Sequence, residues 1–250
     1  MEPNSFNFPT ENVSLPSKGL LYPETNPLNS GKIEMYYMTA RHEDILTNQN
    51  YIRDQIVIDK LLQAMIATKI NYDDLLAGDK DAILLSARIL GYGKDYEFSY
   101  AGEEVSVDLT TLEEKFLDES LLKEKGKNEF EFKLPNTDNV ITFRLLTHGD
   151  EKKIDAEIKG YKKINKNDNR ELTTRLKYII VSINGNYDTK TIREFVDNNF
   201  LASDSRAFRE YYNRISPGIN TKIKYTFSDG VEEDIDIPIN VTFFWPDASI

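Results

Sequence analysis

Residues 76–93 and 201–218 align with each other without a gap, and this recurrence constrains the fold more than any other feature of the chain. Leu76, Ala77, Asp79, Ala82 and Gly93 are identical to Leu201, Ala202, Asp204, Ala207 and Gly218. Ordinary composition gives about one identity in a window of this length. The flanking segments follow at nearby offsets. Ile33, Thr39 and Glu43 meet Ile141, Thr147 and Glu151 at an offset of 108. Lys60-Leu61 meets Arg175-Leu176 at an offset of 115, where the apolar Ala64, Met65 and Ile66 meet Ile179, Ile180 and Val181. Tyr100 meets Tyr225 at 125. A unit repeated once predicts two similar lobes with two similar surfaces, which suits a bridging or scaffolding part. Pseudo-twofold packing of the lobes is the expectation for such a pair.

Each half reads in the same order. Ile33–Met38 alternates as a strand. Thr39 then stands as an N-cap before the acidic Glu43 and Asp44. A second helix is predicted from about Arg53 to Ala67, with apolar Ile56, Leu61, Leu62 and Met65 at helical spacing. A third starts near Asp79 and stops at Gly91-Tyr92-Gly93. Tyr96–Tyr100 and Val105–Leu109 alternate with period two around Ala101-Gly102, a hairpin for which pairs such as Phe98 with Val107 are expected. Residues 111–127 are charged and helix-prone. The order then recurs. Strands are predicted at Glu129–Leu134 and Val140–Leu145, and Thr147 caps a helix. Further helices follow at Leu172–Ile183, Ile192–Phe200 and Asp204–Ile215, with a hairpin at Lys222–Phe227 and Glu233–Ile237. The fold class is therefore α+β, with an arm at 1–32, a first lobe at 33–110, a connector at 111–130, a second lobe at 131–238 and a tail at 239–250.

The two ends differ from the lobes. Five of the nine prolines (Pro3, Pro9, Pro16, Pro23, Pro27) fall in the first thirty residues, so this segment should be extended. Its apolar residues, Leu15, Leu20, Leu21 and Tyr22 among them, are spaced like anchors. At the other end, Ile237–Pro246 is the most apolar stretch and holds Phe243, Phe244 and Trp245, the one Trp of the chain. Pro238 and Pro246 unsuit it for a central strand. Two readings stand for each end: packing on its own domain, or insertion into a neighbouring subunit, since aromatic residues on an extended terminus are common anchors. The insertion reading makes Leu15, Leu20, Leu21, Tyr22, Phe243, Phe244 and Trp245 the partner-binding residues, and predicts that trimming 241–250 leaves a folded protein that no longer assembles.

Composition narrows the function classes. A net charge of −11 argues against non-specific nucleic-acid binding, which needs Lys and Arg to neutralise phosphates. Cysteine is absent, which removes disulfides, thiol nucleophiles and thiolate metal sites. Met1–Pro9 is polar with no apolar core, so no signal peptide is expected there, and no run of about 18 apolar residues predicts a membrane span. No cofactor or metal is expected.

The chemical motifs are weak. Gly91-x-Gly93 lacks a third glycine and follows a helix, whereas a dinucleotide fingerprint follows a strand. There is no P-loop and no Gly-x-Ser-x-Gly. Nothing local builds a triad around His42 or His148, each of which falls at a helix start. Asp73, Asp74, Asp79 and Asp81 lack the glycine and final Glu of a calcium loop and read as helix caps. Asp229-Gly230 with Glu232, Glu233, Asp234 and Asp236 reads as a turn with a solvated acidic face. Asn240-x-Thr242 carries no meaning as a glycosylation site without secretion. An enzyme is not the expectation.

Six segments carry a resemblance: Val13-Ser-Leu-Pro-Ser-Lys-Gly-Leu-Leu-Tyr-Pro23, Met38-Thr-Ala-Arg-His-Glu-Asp-Ile-Leu-Thr-Asn48, Asp59-Lys-Leu-Leu62, Asp73-Asp-Leu-Leu-Ala-Gly-Asp79, Ala87-Arg-Ile-Leu-Gly-Tyr-Gly93 and Phe243-Phe-Trp-Pro246. In order and spacing the chain resembles the baseplate hub proteins of T-even-like contractile-tailed bacteriophages. The resemblance implies a structural or assembly subunit that acts by protein–protein binding to other tail or hub proteins, made in the host cytoplasm and carried in the tail baseplate. The alternative is a non-virion chaperone for hub or tape-measure proteins. Some relatives carry Cys pairs in the hairpin turns, resembling zinc ribbons. Here Tyr100-Ala-Gly102 and Thr226-Phe-Ser-Asp-Gly230 stand in those places. The resemblance transfers no catalytic residue.

Overall fold

The computed structural model describes residues 9–167 and 170–244. It is α+β: helices interleaved with small antiparallel sheets, around one continuous apolar core. No helix among the described residues is long and apolar enough to cross a membrane.

From Thr10 on, the proline-rich segment is not a free arm. Strand β1 (Thr10–Ser14) pairs antiparallel with β2 (Lys32–Tyr36), Val13 opposite Ile33. Val13, Ile33 and Met35 are buried while their neighbours face out, the period-two pattern of a half-buried ribbon. Pro16, Pro23 and Pro27 fall in the long turn, where a missing N–H breaks no ladder. Leu15, Leu21, Tyr22 and Leu28 fold inward from that turn. The segment expected as an arm is thus the outer strand and closing loop of the first half.

Thr39 caps α1 (Ala40–Leu46). The helix predicted over 53–67 is α3 (Val57–Met65), shorter at both ends, and an unpredicted short helix α2 (Gln49–Arg53) precedes it, separated by a break at Gln55, which sits at φ 60°. Ile66 leaves α3 extended and bridges to Met35. Helix α4 (Ala77–Tyr92) then runs through the core with Ala82, Ile83, Leu84, Ala87 and Arg88 buried. It ends at Gly93, whose φ of 84° disfavours any residue with a Cβ. Strands β3 (Asp95–Tyr100) and β4 (Glu103–Asp108) form the predicted hairpin, but Phe98 faces Val105 and Tyr96 faces Val107.

Residues 111–127 form no α-helix. Asp108 and Asp118 each cap a short 3-10 turn through their carboxylates, and β5 (Glu114–Lys115) lies between. Leu117 is buried and its N–H donates to Pro16 O. Side-chain caps and one anchoring leucine win here over helix propensity, which is a weak prior.

In the second half β6 (Phe130–Lys133) pairs with β7 (Val140–Phe143), and β7 with β8 (Ile180–Ile183). Thr147 caps α5 (His148–Ile164). The helix predicted over 172–183 is α6 (Glu171–Ile179) followed directly by β8; the run Ile179-Ile-Val-Ser-Ile183 is β-branched and finds a strand partner. Helix α7 (Thr189–Glu194) widens into a π turn over Phe195–Asn199. Helix α8 (Ala202–Ile215) follows, then β9 (Gly218–Ile219), which pairs with β5. The last hairpin is β10 (Lys222–Thr226) with β11 (Glu232–Asp236). The described residues end with a 3-10 turn over Val241–Phe244.

Candidate interaction surfaces

Five of the seven residues expected as anchors are buried in the chain's own core. Leu15, Leu21, Tyr22, Phe243 and Phe244 are enclosed, Leu20 is half-buried, and Trp245 lies outside the described residues. Phe243 meets Tyr96 edge-on at 4.8 Å and lies 6.0 Å from the Arg88 guanidinium. Arg88 is itself buried, donating to Gly93 O and Asp95 O. The reading of Leu15, Leu21, Tyr22, Phe243 and Phe244 as exposed anchors is therefore corrected: Arg88 and a ring of aromatics offer Phe243 a closer partner inside the molecule.

Tyr22 has a definite task. Asp79, on the first turn of α4, is fully buried. It accepts from Ser17 N–H (2.9 Å), Ser17 Oγ (2.7 Å) and Tyr22 Oη (2.6 Å), and Tyr22 Oη accepts from Leu76 N–H (3.0 Å). Burial raises the Asp79 carboxyl and these donors pull it back; burial and the adjacent carboxylate raise the Tyr22 phenol. Asp204, aligned with Asp79, sits on the first turn of α8 and holds the turn between β6 and β7 in the same way. It accepts from Asn136 N–H (2.9 Å), Asn136 Nδ2 (2.7 Å) and Thr137 Oγ1 (2.8 Å). Burial would raise this carboxyl, but the donors outweigh it and hold it below the ordinary range.

The helix caps correspond too. His42 Nδ1 accepts from Thr39 N–H at 3.0 Å, and Asp150, aligned with His42, accepts from Thr147 N–H at 3.1 Å.

The halves meet where α4 starts. Leu76 bridges antiparallel to Thr147: His148 N–H donates to Leu75 O at 2.7 Å and Ala77 N–H to Leu146 O at 3.1 Å. Two glycines let the backbones close. A Cβ on Gly78 would lie 1.9 Å from Pro217 O, and one on Gly149 would lie 3.1 Å from Asp73. Beside the bridge, Asp59 receives Lys80 Nζ at 2.5 Å and Tyr72 Oη at 3.0 Å, with His148 Nε2 3.7 Å away. Burial and the Lys80 charge lower the His148 pKa, against the opposing pull of Asp59 and Asp73. Asp73 pairs with Lys152 at 3.0 Å. A groove of about 520 Å³ opens along this seam, lined among others by Leu76, Leu172, Arg175, Arg209 and Tyr212.

This contact is one-sided. Pseudo-twofold packing would also set Leu201 on Thr39, and no such bridge forms among the described residues. Leu201, aligned with Leu76, is 48% exposed. On the first half, Tyr36, Tyr37, Thr39, Arg41, His42, Ile45 and Ala64 line a hollow of about 310 Å³, with Tyr36 and Tyr37 36% and 38% exposed. Those positions align with the surface that Leu76 covers on the second half: Tyr37 with Leu145, Thr39 with Thr147, Ala64 with Ile179. Neither Leu201 nor the Tyr36-Tyr37 pair stands out in the sequence, because an alternating strand and a helix start both hide an unused edge. Only the alignment of the halves, joined to the contact, picks them out.

The aspartates at 73–81 are not the helix caps expected of them: Leu76 and Asn71 hold the two N-cap positions, while Asp79 binds Ser17 and Tyr22 and Asp73 pairs with Lys152. Asp229 accepts from Val231 N–H within the last turn, and Asn71 and Asn26 hold Asp74. Among the described residues no group of three or more His, Asp or Glu is placed to hold a metal ion. Comparison of the chain with family models, with curated proteins and with solved structures returns no match.

Proposed function

We propose that this protein is a structural or assembly subunit of a contractile phage tail baseplate hub, acting by protein–protein binding. It is built from two duplicated lobes, 33–110 and 131–238, with residues 10–32 adding the outer strand of the first. The observation that carries the reading is the one-sided contact between the halves. One edge is consumed inside the chain, while the aligned edge and the aligned receiving surface stay open, an arrangement that suits a scaffold. The six resembling segments supply the biological setting: synthesis in the host cytoplasm and residence in the tail baseplate. Three of them (13–23, 73–79 and 87–93) carry Tyr22, Asp79 and Arg88, the buried polar groups that organise the first half. Quantitative mass spectrometry of purified virions, calibrated on a known hub protein, tests this. A small fixed ratio is expected. Presence in infected cells with absence from virions would replace the subunit by a non-virion chaperone for hub or tape-measure proteins.

A further inference from the structure

We propose that copies of this chain associate head to tail, the Phe200–Ala202 edge of one docking on the Met38–Ala40 edge of the next. The inference rests on the reading of the chain as a duplicated pair. The internal seam supplies the template: Leu75 O and Ala77 N–H pair with His148 N–H and Leu146 O, and Leu76 covers the surface between. The aligned groups are Phe200 O and Ala202 N–H on one side, Ala40 N–H and Met38 O on the other. Among the described residues none of these four has a hydrogen-bond partner. Unpaired backbone groups on an edge are a template for another chain.

The backbone at the donor edge is already set. Leu201 sits at φ −57°, ψ 140°, and Leu76 at φ −63°, ψ 146°. Leu201 therefore directs its Cα–Cβ bond from the backbone as Leu76 does, and the hollow between Tyr37, Thr39 and Ala64 is where the template places its side chain. Donor and receiver lie on opposite halves of one molecule, so the contact is heterologous and adds copies in one direction, closing into a ring or running on as a filament.

Two differences weaken the intermolecular version. Ser203 stands where Gly78 meets Pro217 O, and Arg41 stands where Gly149 meets Asp73. The added Cβ atoms crowd the contact between copies, which is therefore weaker than the contact between the halves.

Sedimentation velocity of the full chain from about 1 μM to about 500 μM tests this. The mass is expected to rise with concentration. Leu201→Asp, at an exposed position, should return it to the monomer without changing the melting temperature. The double variant Arg41→Gly/Ser203→Gly should associate at a concentration about tenfold lower or less. Self-association that Leu201→Asp leaves untouched overturns the proposal by placing the contact elsewhere. A monomeric wild type also overturns it. In that case, association of the double-glycine variant would leave the equivalence of the halves standing, and a monomeric double variant would remove it as well. The assay uses purified protein alone, so its result is separate from that of the virion measurement.

Discussion

Helices α4 and α8 occupy aligned positions in the two halves and differ in what covers them. Around α4 lie β1, β9 and the closing turn, and even Arg88 is enclosed. Its counterpart on α8, Asn213, is exposed, and α8 buries one face through Asp204, Ser205, Phe208 and Ile215. Equal register therefore does not mean equal burial. The same carboxylate near the N-terminus serves both helices. The partners of Asp79, Ser17 and Tyr22, are themselves buried, whereas Asn136 is exposed and Thr137 half-exposed. The difference teaches that two aligned helices can carry the same carboxylate and still differ in cover: α4 is enclosed and α8 is open on one side.

That comparison can be broken first at the tail. Trimming 241–250 removes Phe243 and Phe244 from the surroundings of α4. Loss of two buried phenylalanines should cost about 5 kcal/mol or more, with aggregation or a collapsed melting temperature. Retention of full stability would restore the tail to the role of a free anchor. Next come the two carboxylates. Asp79→Ala strands buried donors and should cost about 3–5 kcal/mol, while Asp204→Ala, whose partners reach water, should cost about 1–2 kcal/mol by urea denaturation. Equal losses would end the distinction between an enclosed and an open helix start.

Gly78→Ala forces a Cβ onto Pro217 O and should cost about 2–3 kcal/mol, against less than about 0.5 kcal/mol for Ser203→Ala at the aligned, open position. The smallest effect is in pH. Burial lowers the His148 pKa, so the folded state favours the neutral ring. The unfolded chain takes up the proton first as pH falls through about 6.5, and stability declines below that value. Chemical denaturation at pH 7.5 and 5.5 should show the decline, and His148→Gln should flatten it. The carboxylates run in opposite senses at lower pH. The raised Asp79 pKa favours the folded state as acid is added, and the lowered Asp204 pKa disfavours it.

Much of the architecture was legible because it is local. Thr39 and Thr147 announce their helices, the alternation at 96–109 announces a hairpin, and Gly93 ends α4. The misreadings share one cause, competition between local preference and a distant partner. Residues 180–183 carry a helix-compatible apolar pattern but meet β7. Residues 114–115 are charged and helix-prone but pair with Gly218 and Ile219. The register of β3 and β4 slipped by two residues from the expected Phe98–Val107 pair because the tight turn at Ala101-Gly102 sets it.

The candidate surfaces were the least legible part. Apolar residues in a proline-rich terminus look exposed when only neighbours in sequence are considered, and Leu15, Leu21, Tyr22, Phe243 and Phe244 proved to be core. The sequence by itself determined the α+β class, the caps and the recurrence of one element order, because hydrophobic period, capping and turn chemistry act over a few residues. Tertiary structure alone decided that Leu15–Tyr22 and Phe243–Phe244 fold inward, that Leu76 is covered and Leu201 open, and that the halves meet on one side. Those outcomes depend on which long-range partner excludes water from a given face, and no local pattern encodes that choice.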